Sequence, residues 1–119
     1  MTRPVRMQVS RRKGFDLHAK SKALNGLPAK RISRPGAWGN PFSIDAVAAE
    51  SGLDSAAAQA EAVARFGRWV HGELDPRLSP GPAPSRESIR TNLQGQNLAC
   101  WCAPGTPCHA DVLIALAND

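Results

Sequence analysis

The chain has 119 residues, of which 42% are hydrophobic and 21% charged, with a formal net charge of +5. That length suits one domain around one modest core and leaves no room for a second. No apolar run approaches the roughly 20 residues that span a bilayer, and no apolar stretch follows the basic start, so a secretory signal is not expected and a cytoplasmic location is. The charge is polarised: residues 1–44 hold ten Lys and Arg against one acid, Asp16, whereas residues 45–119 hold five against nine acids. The basic N-terminal segment 1–34, with "SRRKGF" at Ser10–Phe15 and Lys20, Lys22, Lys30, Arg31 and Arg34, has the charge to hold phosphates of a nucleotide or nucleic acid. A solvated face that keeps the protein soluble explains the same residues.

In chain order, Val5–Arg11 alternates apolar and polar residues through Val5, Met7 and Val9, the period-two mark of a half-buried strand. The basic stretch after it, with Gly14, Asn25, Gly26 and Pro28 as turn formers, reads as loop. Ala29–Ser33 reads as a second short strand. From Ser55 to Leu74, Ala62, Val63, Phe66, Trp69 and Val70 recur at spacings of three and four, which is a helical stripe, with Asp54 or Ser55 as its N-cap and the ring of His71 placed to meet its last carbonyls. Residues 75–85, "DPRLSPGPAPS", form a Pro-rich irregular connector. Ser85 caps a short helix bearing Ile89 and Leu93, and Gly95 sits where a helix end wants a left-handed residue. "NLACWC" (Asn97–Cys102) reads as a buried strand and "HADVLIALA" (His109–Ala117) as a final helix with Val112, Leu113 and Leu116 inward. Strands alternating with helices predict a small single-domain α/β fold, a sheet with helices packed on it.

All three cysteines fall in the last segment. An odd number so clustered is a poor disulfide framework and suits metal binding or thiol chemistry in a reducing compartment. In the strand read at Asn97–Cys102, Cys100 and Cys102 face one way and Trp101 the other, which makes the two sulfurs neighbours. Cys108 and His109 then arrive at the first turn of the last helix, with Asp111 in the same turn, where free N–H groups ease thiol ionisation. Three readings compete. The first is a zinc site from Cys100, Cys102, Cys108 and His109, a Cys₃His set whose adjacent Cys-His pair fits awkwardly around one ion. The second is a catalytic or substrate-binding thiol site, with Cys100 or Cys108 as nucleophile and His109 or Asp111 as proton carrier or orienter. The third is plain packing of small apolar side chains.

A second segment, "SRPGAWGNPF" (Ser33–Phe42), is stiffened by Pro35 and Pro41 and bent by Gly36 and Gly39. Arg34, Trp38 and Asn40 offer a guanidinium fork, a ring and an amide to a base or phosphate-bearing ligand. A structural turn with Trp38 and Phe42 in the core is the alternative.

These two segments, "RPGAWGNPF" and "LACWCAPGTPCHADVL", together with "QVSRRKGF", resemble the domain of unknown function 4326 family of bacteria and phages. By that resemblance Arg34 and Trp38–Phe42, then Cys100, Cys102, Cys108, His109 and Asp111, occupy the family's motif positions. The Cys-His segment is more loosely similar to the domain of unknown function 488 family, which tends to carry an acid at the position of Cys102; that likeness puts weight on Cys100 and the Cys-His pair rather than on a complete four-ligand cage. The resemblance implies no activity. The expectation taken to the structure is one cleft where the two motif segments meet, serving an enzyme or ligand-binding protein for a nucleotide, a modified base or a related nucleic-acid component. Cys108 is then the reactive group, His109 the proton carrier, Arg34 the phosphate contact and Trp38 the stacking surface. The alternatives are a small zinc-bearing nucleic-acid-binding module, and a non-catalytic phage or host interaction protein.

Overall fold

The computed structural model describes residues 3–34 and 36–119; Pro35, expected to stiffen the second segment, lies outside the described residues. Three short strands, β1 (Arg6–Gln8), β2 (Ala29–Arg31) and β3 (Asn97–Cys100), form a parallel sheet in the order β1-β3-β2. The α/β expectation holds. The central strand is the one whose four residues are all buried, as a strand covered on both faces requires. Met7 pairs with Ala99 on one side and Arg31 with Ala99 on the other. Beyond the strands, Val9 N–H donates to Cys100 O at 2.8 Å and Ile32 N–H to Ala99 O at 2.9 Å, which accounts for the longer alternating patterns in the sequence.

Among the described residues, five α-helices surround the sheet: α1 (Leu17–Asn25), α2 (Ile44–Ser51), α3 (Ser55–Val70), α4 (Arg86–Leu93) and α5 (His109–Asn118). Alternation along β3 divides the core. Leu98 and Cys100 face Phe66 of α3, Ile89 and Leu93 of α4 and Leu113 of α5. Ala99 faces the other way, with Met7, Val9, Ala29 and Leu17 of α1. The crossover from β1 to β2 therefore covers one face, and the elements from β2 to β3 cover the opposite one.

Several elements differ from the sequence reading. The stretch read as loop after β1 contains α1, started by the Asp16 carboxylate accepting from Ala19 N–H and ended at Gly26, whose φ of 79° is left-handed. Only Leu17 and Ser21 of that helix are buried, so it shows no apolar stripe. A polar network anchors it instead. Buried Asn97 donates to Ser21 Oγ at 2.7 Å and Asn25 Oδ1 at 2.8 Å, and its Oδ1 accepts from Asn25 Nδ2 and Val5 N–H, each at 2.9 Å. Each such bond is worth about 1 kcal/mol net, and breaking one inside strands its partner at greater cost.

Helix α2, which the sequence reading left unassigned, starts at Ser43 and packs Val47 on Ala58 and Ala62 of α3. Helix α3 is capped by Asp54 and stops at Val70, short of Leu74; His71 closes it through its backbone N–H to Gly67 O and not through its ring. Arg65, buried on α3, bridges Glu61 of its own helix at 2.9 Å and Glu50 of α2 at 3.1 Å. The Pro-rich connector carries one 3₁₀ turn, Pro76–Leu78, and Trp69 Nε1 donates to Gly81 O within it. Ser85 caps α4 as expected, and Gly95 is left-handed just past its end, with a φ of 75°.

Candidate metal centre

Strand β3 ends at Cys100, two residues earlier than the sequence pattern indicated, so the alternation argument for Cys102 does not apply. The chain instead leaves the sheet at Trp101 and loops back to the start of α5. Gly105, with a φ of 82°, allows the turn in which Thr106 N–H donates to Ala103 O at 3.2 Å. The loop returns Cys108 as the N-cap residue of α5, and its sulfur comes to 2.8 Å from that of Cys100. The sulfurs of Cys100, Cys102 and Cys108 all lie within 4.8 Å of one another. The loop, not the strand, brings Cys102 in.

Two elements brace this loop from outside. Arg6 of β1 donates to Thr106 O at 2.7 Å, to Ala103 O at 3.1 Å and to Asp111 of α5 at 3.0 Å. Gln59 of α3 donates to Pro107 O at 2.6 Å and Thr106 Oγ1 at 3.2 Å. Sequence reasoning missed both residues. Gln59 carried a signal, being a polar residue three and seven positions before Ala62 and Phe66 on the buried stripe. Arg6 carried only its place in an alternating strand.

The three thiols perturb one another. Hydrogen bonding from Cys100 and then from Cys108, with the positive charge of Arg6 nearby, lowers the pKa of half-buried Cys102 to about 3. Hydrogen bonds with Cys102 and Cys108, together with burial, push the Cys100 thiol up. One sulfur is thus held as thiolate beside the protonated Cys100, whose proton a soft divalent ion would displace.

His109 stands outside the sulfur cluster. Its Nε2 lies 2.9 Å from Ile32 O and 3.1 Å from Trp38 O, two acceptors that assign the proton to that nitrogen. Its Nδ1 is 3.9 Å from the Cys108 sulfur, and its ring meets Phe66 edge-on at 5.1 Å. The ring therefore ties the start of α5 to the loop after β2. Asp111, in the first turn as expected, is turned to Arg6. Of the four zinc ligands considered from sequence, the three thiols gather within 4.8 Å of one another, and His109 adjoins one of them through Nδ1.

The two motif segments do meet. A cleft of about 180 Å³ is lined by Arg34 and Asn40 from the first, by Cys100, Cys102, Cys108 and His109 from the second, and by Gln59 of α3. Asn40 uses its amide locally, donating to Ala62 O at 3.2 Å and accepting from Phe42 N–H at 2.9 Å. Trp38 packs against the core cluster around Phe66. Gly39 is required by space: a Cβ there would lie 2.5 Å from Arg34 Cγ and 2.8 Å from Arg34 Cα.

The fold and this site define a small α/β domain carrying a three-cysteine cluster able to coordinate a metal ion. The chain belongs to the family described as Domain of unknown function (DUF4326), which matches residues 16–119. No curated protein and no solved structure matches it. Among the described residues no helix is long and apolar enough to cross a membrane.

Proposed function

We propose that the protein is a small zinc-bearing module that contacts nucleic acid, with the ion held by Cys100, Cys102 and Cys108 and the basic first third meeting phosphate. The observation that carries this reading is the approach of three sulfurs to within 4.8 Å of one another. Tetrahedral zinc with bonds of about 2.3 Å separates its thiolates by about 3.8 Å, so slight spreading of the Cys100–Cys108 pair admits the ion. Three thiolates are a soft donor set that favours zinc over harder cations. Zinc bound there would staple β3 to α5.

The test is metal analysis of protein purified without added zinc. About one equivalent should be retained, a strong chelator should lower the melting temperature, and Cys100→Ser or Cys108→Ser should abolish retention. Protein that folds without metal and gains no stability on adding zinc would refute the reading.

A second reading rests on the cleft beside the sulfurs. Three protein ligands leave one position of a tetrahedral ion for water or a bound group, the arrangement of catalytic and ligand-binding sites. Arg34 and Asn40 line the adjoining space. A nucleotide or modified base held there has Arg34 as its phosphate contact, Trp38 as a stacking surface if the loop opens, and His109 as an orienting group beside the ion. Thermal stabilisation by a nucleoside monophosphate that is lost in Arg34→Ala, with metal content unchanged, separates this reading from the first.

A further inference from the structure

The loop after β1 turns toward the face covered by α1, and the loop after β3 turns toward the face covered by α5. Adjacent parallel strands whose loops part in this way leave a crevice at their carboxyl ends, where open α/β sheets bind ligands. Such a crevice is present, a groove of about 640 Å³ separate from the cysteine cleft, and Arg12, Lys13, Phe15 and Lys20 line it.

The groove is ordered and basic. Ser10 Oγ accepts from Arg12 N–H at 3.0 Å, Phe15 N–H donates to Arg12 O at 3.1 Å, and Gly14 takes the left-handed turn with a φ of 86°. Asp16, the one acid in residues 1–44, is occupied in capping α1. Two aromatic rings accompany the cations. Lys20 Nζ lies 5.8 Å from the Phe15 ring centroid, and Arg11 lies 4.7 Å from that of Trp101, which is 42% exposed. Gln8, which lines the groove, donates to Trp101 O at 3.3 Å and so ties the groove to Trp101, which lines the cysteine cleft.

We propose that this groove binds single-stranded nucleic acid, with Arg12, Lys13 and Lys20 on successive phosphates and the Trp101–Arg11 and Phe15 surfaces against unpaired bases. Several cations strung along a loop and a helix fit a chain of phosphates better than a single one. The exposed Trp101 ring and the half-buried Phe15 ring, each beside a cation, present surfaces that unpaired bases can reach. The inference rests on the nucleic-acid half of the reading above and gives it a location. It also joins the two halves, because Pro104 and Trp101 belong to the loop whose far end carries Cys108.

Fluorescence anisotropy of a labelled oligothymidine with the full zinc-loaded chain tests it, with metal content measured on every variant. Affinity should fall with a log–log salt slope of about −2 for three neutralised phosphates. Arg12→Glu with Lys13→Glu should weaken binding more than about tenfold, and Trp101→Ala about fivefold or more, at unchanged metal content. The double reversal Arg77→Glu with Arg90→Glu, in the connector and on α4, should change it less than about threefold. Equal binding by the groove variants, tighter binding to duplex, or competition by thymidine monophosphate at equal concentration would overturn the groove. Absence of any oligonucleotide binding would remove the groove and the nucleic-acid half of the proposed function together, while metal retention would stand. Oligonucleotide binding by protein that retains no zinc would remove the metal half and leave the groove.

Discussion

Replacing Arg6 with methionine keeps most of the side chain's apolar stem and removes the guanidinium that spans the cysteine loop. Arg6 is largely buried, its side chain 13% exposed, and it donates at 2.7 Å to Thr106 O and 3.1 Å to Ala103 O. A hydrogen bond to a charged group is worth about 1.5–3 kcal/mol, and the contact with Asp111, whose side chain is 61% exposed, adds less than about 1 kcal/mol. Water can reach the released carbonyls in part, since Ala103 is exposed and Thr106 half-buried. The net loss is therefore about 2–3 kcal/mol, a fall of roughly 10 °C in melting temperature for a domain of this size. The same change withdraws a positive charge that favours the Cys102 thiolate, so the midpoint in the pH dependence of alkylation of metal-free, reduced protein should move up from about 3. Urea unfolding with an unchanged m-value measures the first effect, and iodoacetamide labelling read by peptide mass measures the second. A loss under about 1 kcal/mol together with unchanged labelling would show that Arg6 neither braces the loop nor influences its sulfur.

Gly39→Ala should destabilise by about 1–3 kcal/mol, as overpacking does, because the new methyl meets the Arg34 backbone and not merely a movable side-chain end; chemical denaturation measures this, and a neutral result would mean that the turn yields. Stability should also fall in acid through Glu61. Its hydrogen bond from Arg65, aided by the charge of Arg68, lowers its pKa, so its contribution is fully present above the ordinary carboxyl pKa and is lost as pH falls through the lowered value. With Glu61 partly exposed this amounts to about 1 kcal/mol at most, and the stability gap between the native chain and Glu61→Gln should close between about pH 5 and pH 3.

What local pattern encodes was legible in the residues themselves. The stripe from Ala62 to Val70 announced α3, Asp54 and Ser85 announced their caps, and the buried run at Asn97 announced a buried strand. Residue chemistry also pointed the "GNP" turn and the cysteine tail to one cleft, which residues of both line. Helix α1 was not legible, because what holds it down is Asn97, more than 70 residues away, and not an apolar face of its own. The same limit applied to the sulfurs. Their spacing in the chain could describe a four-ligand cage, a reactive thiol or simple packing, since a loop's path is decided by what grips it. Arg6 and Gln59 grip this one from two other elements, and His109 is drawn aside by the carbonyls of Ile32 and Trp38. Composition and order along the chain determined which donors were present; only tertiary contacts, acting across distances that no periodicity records, decided that three of them converge and the fourth does not.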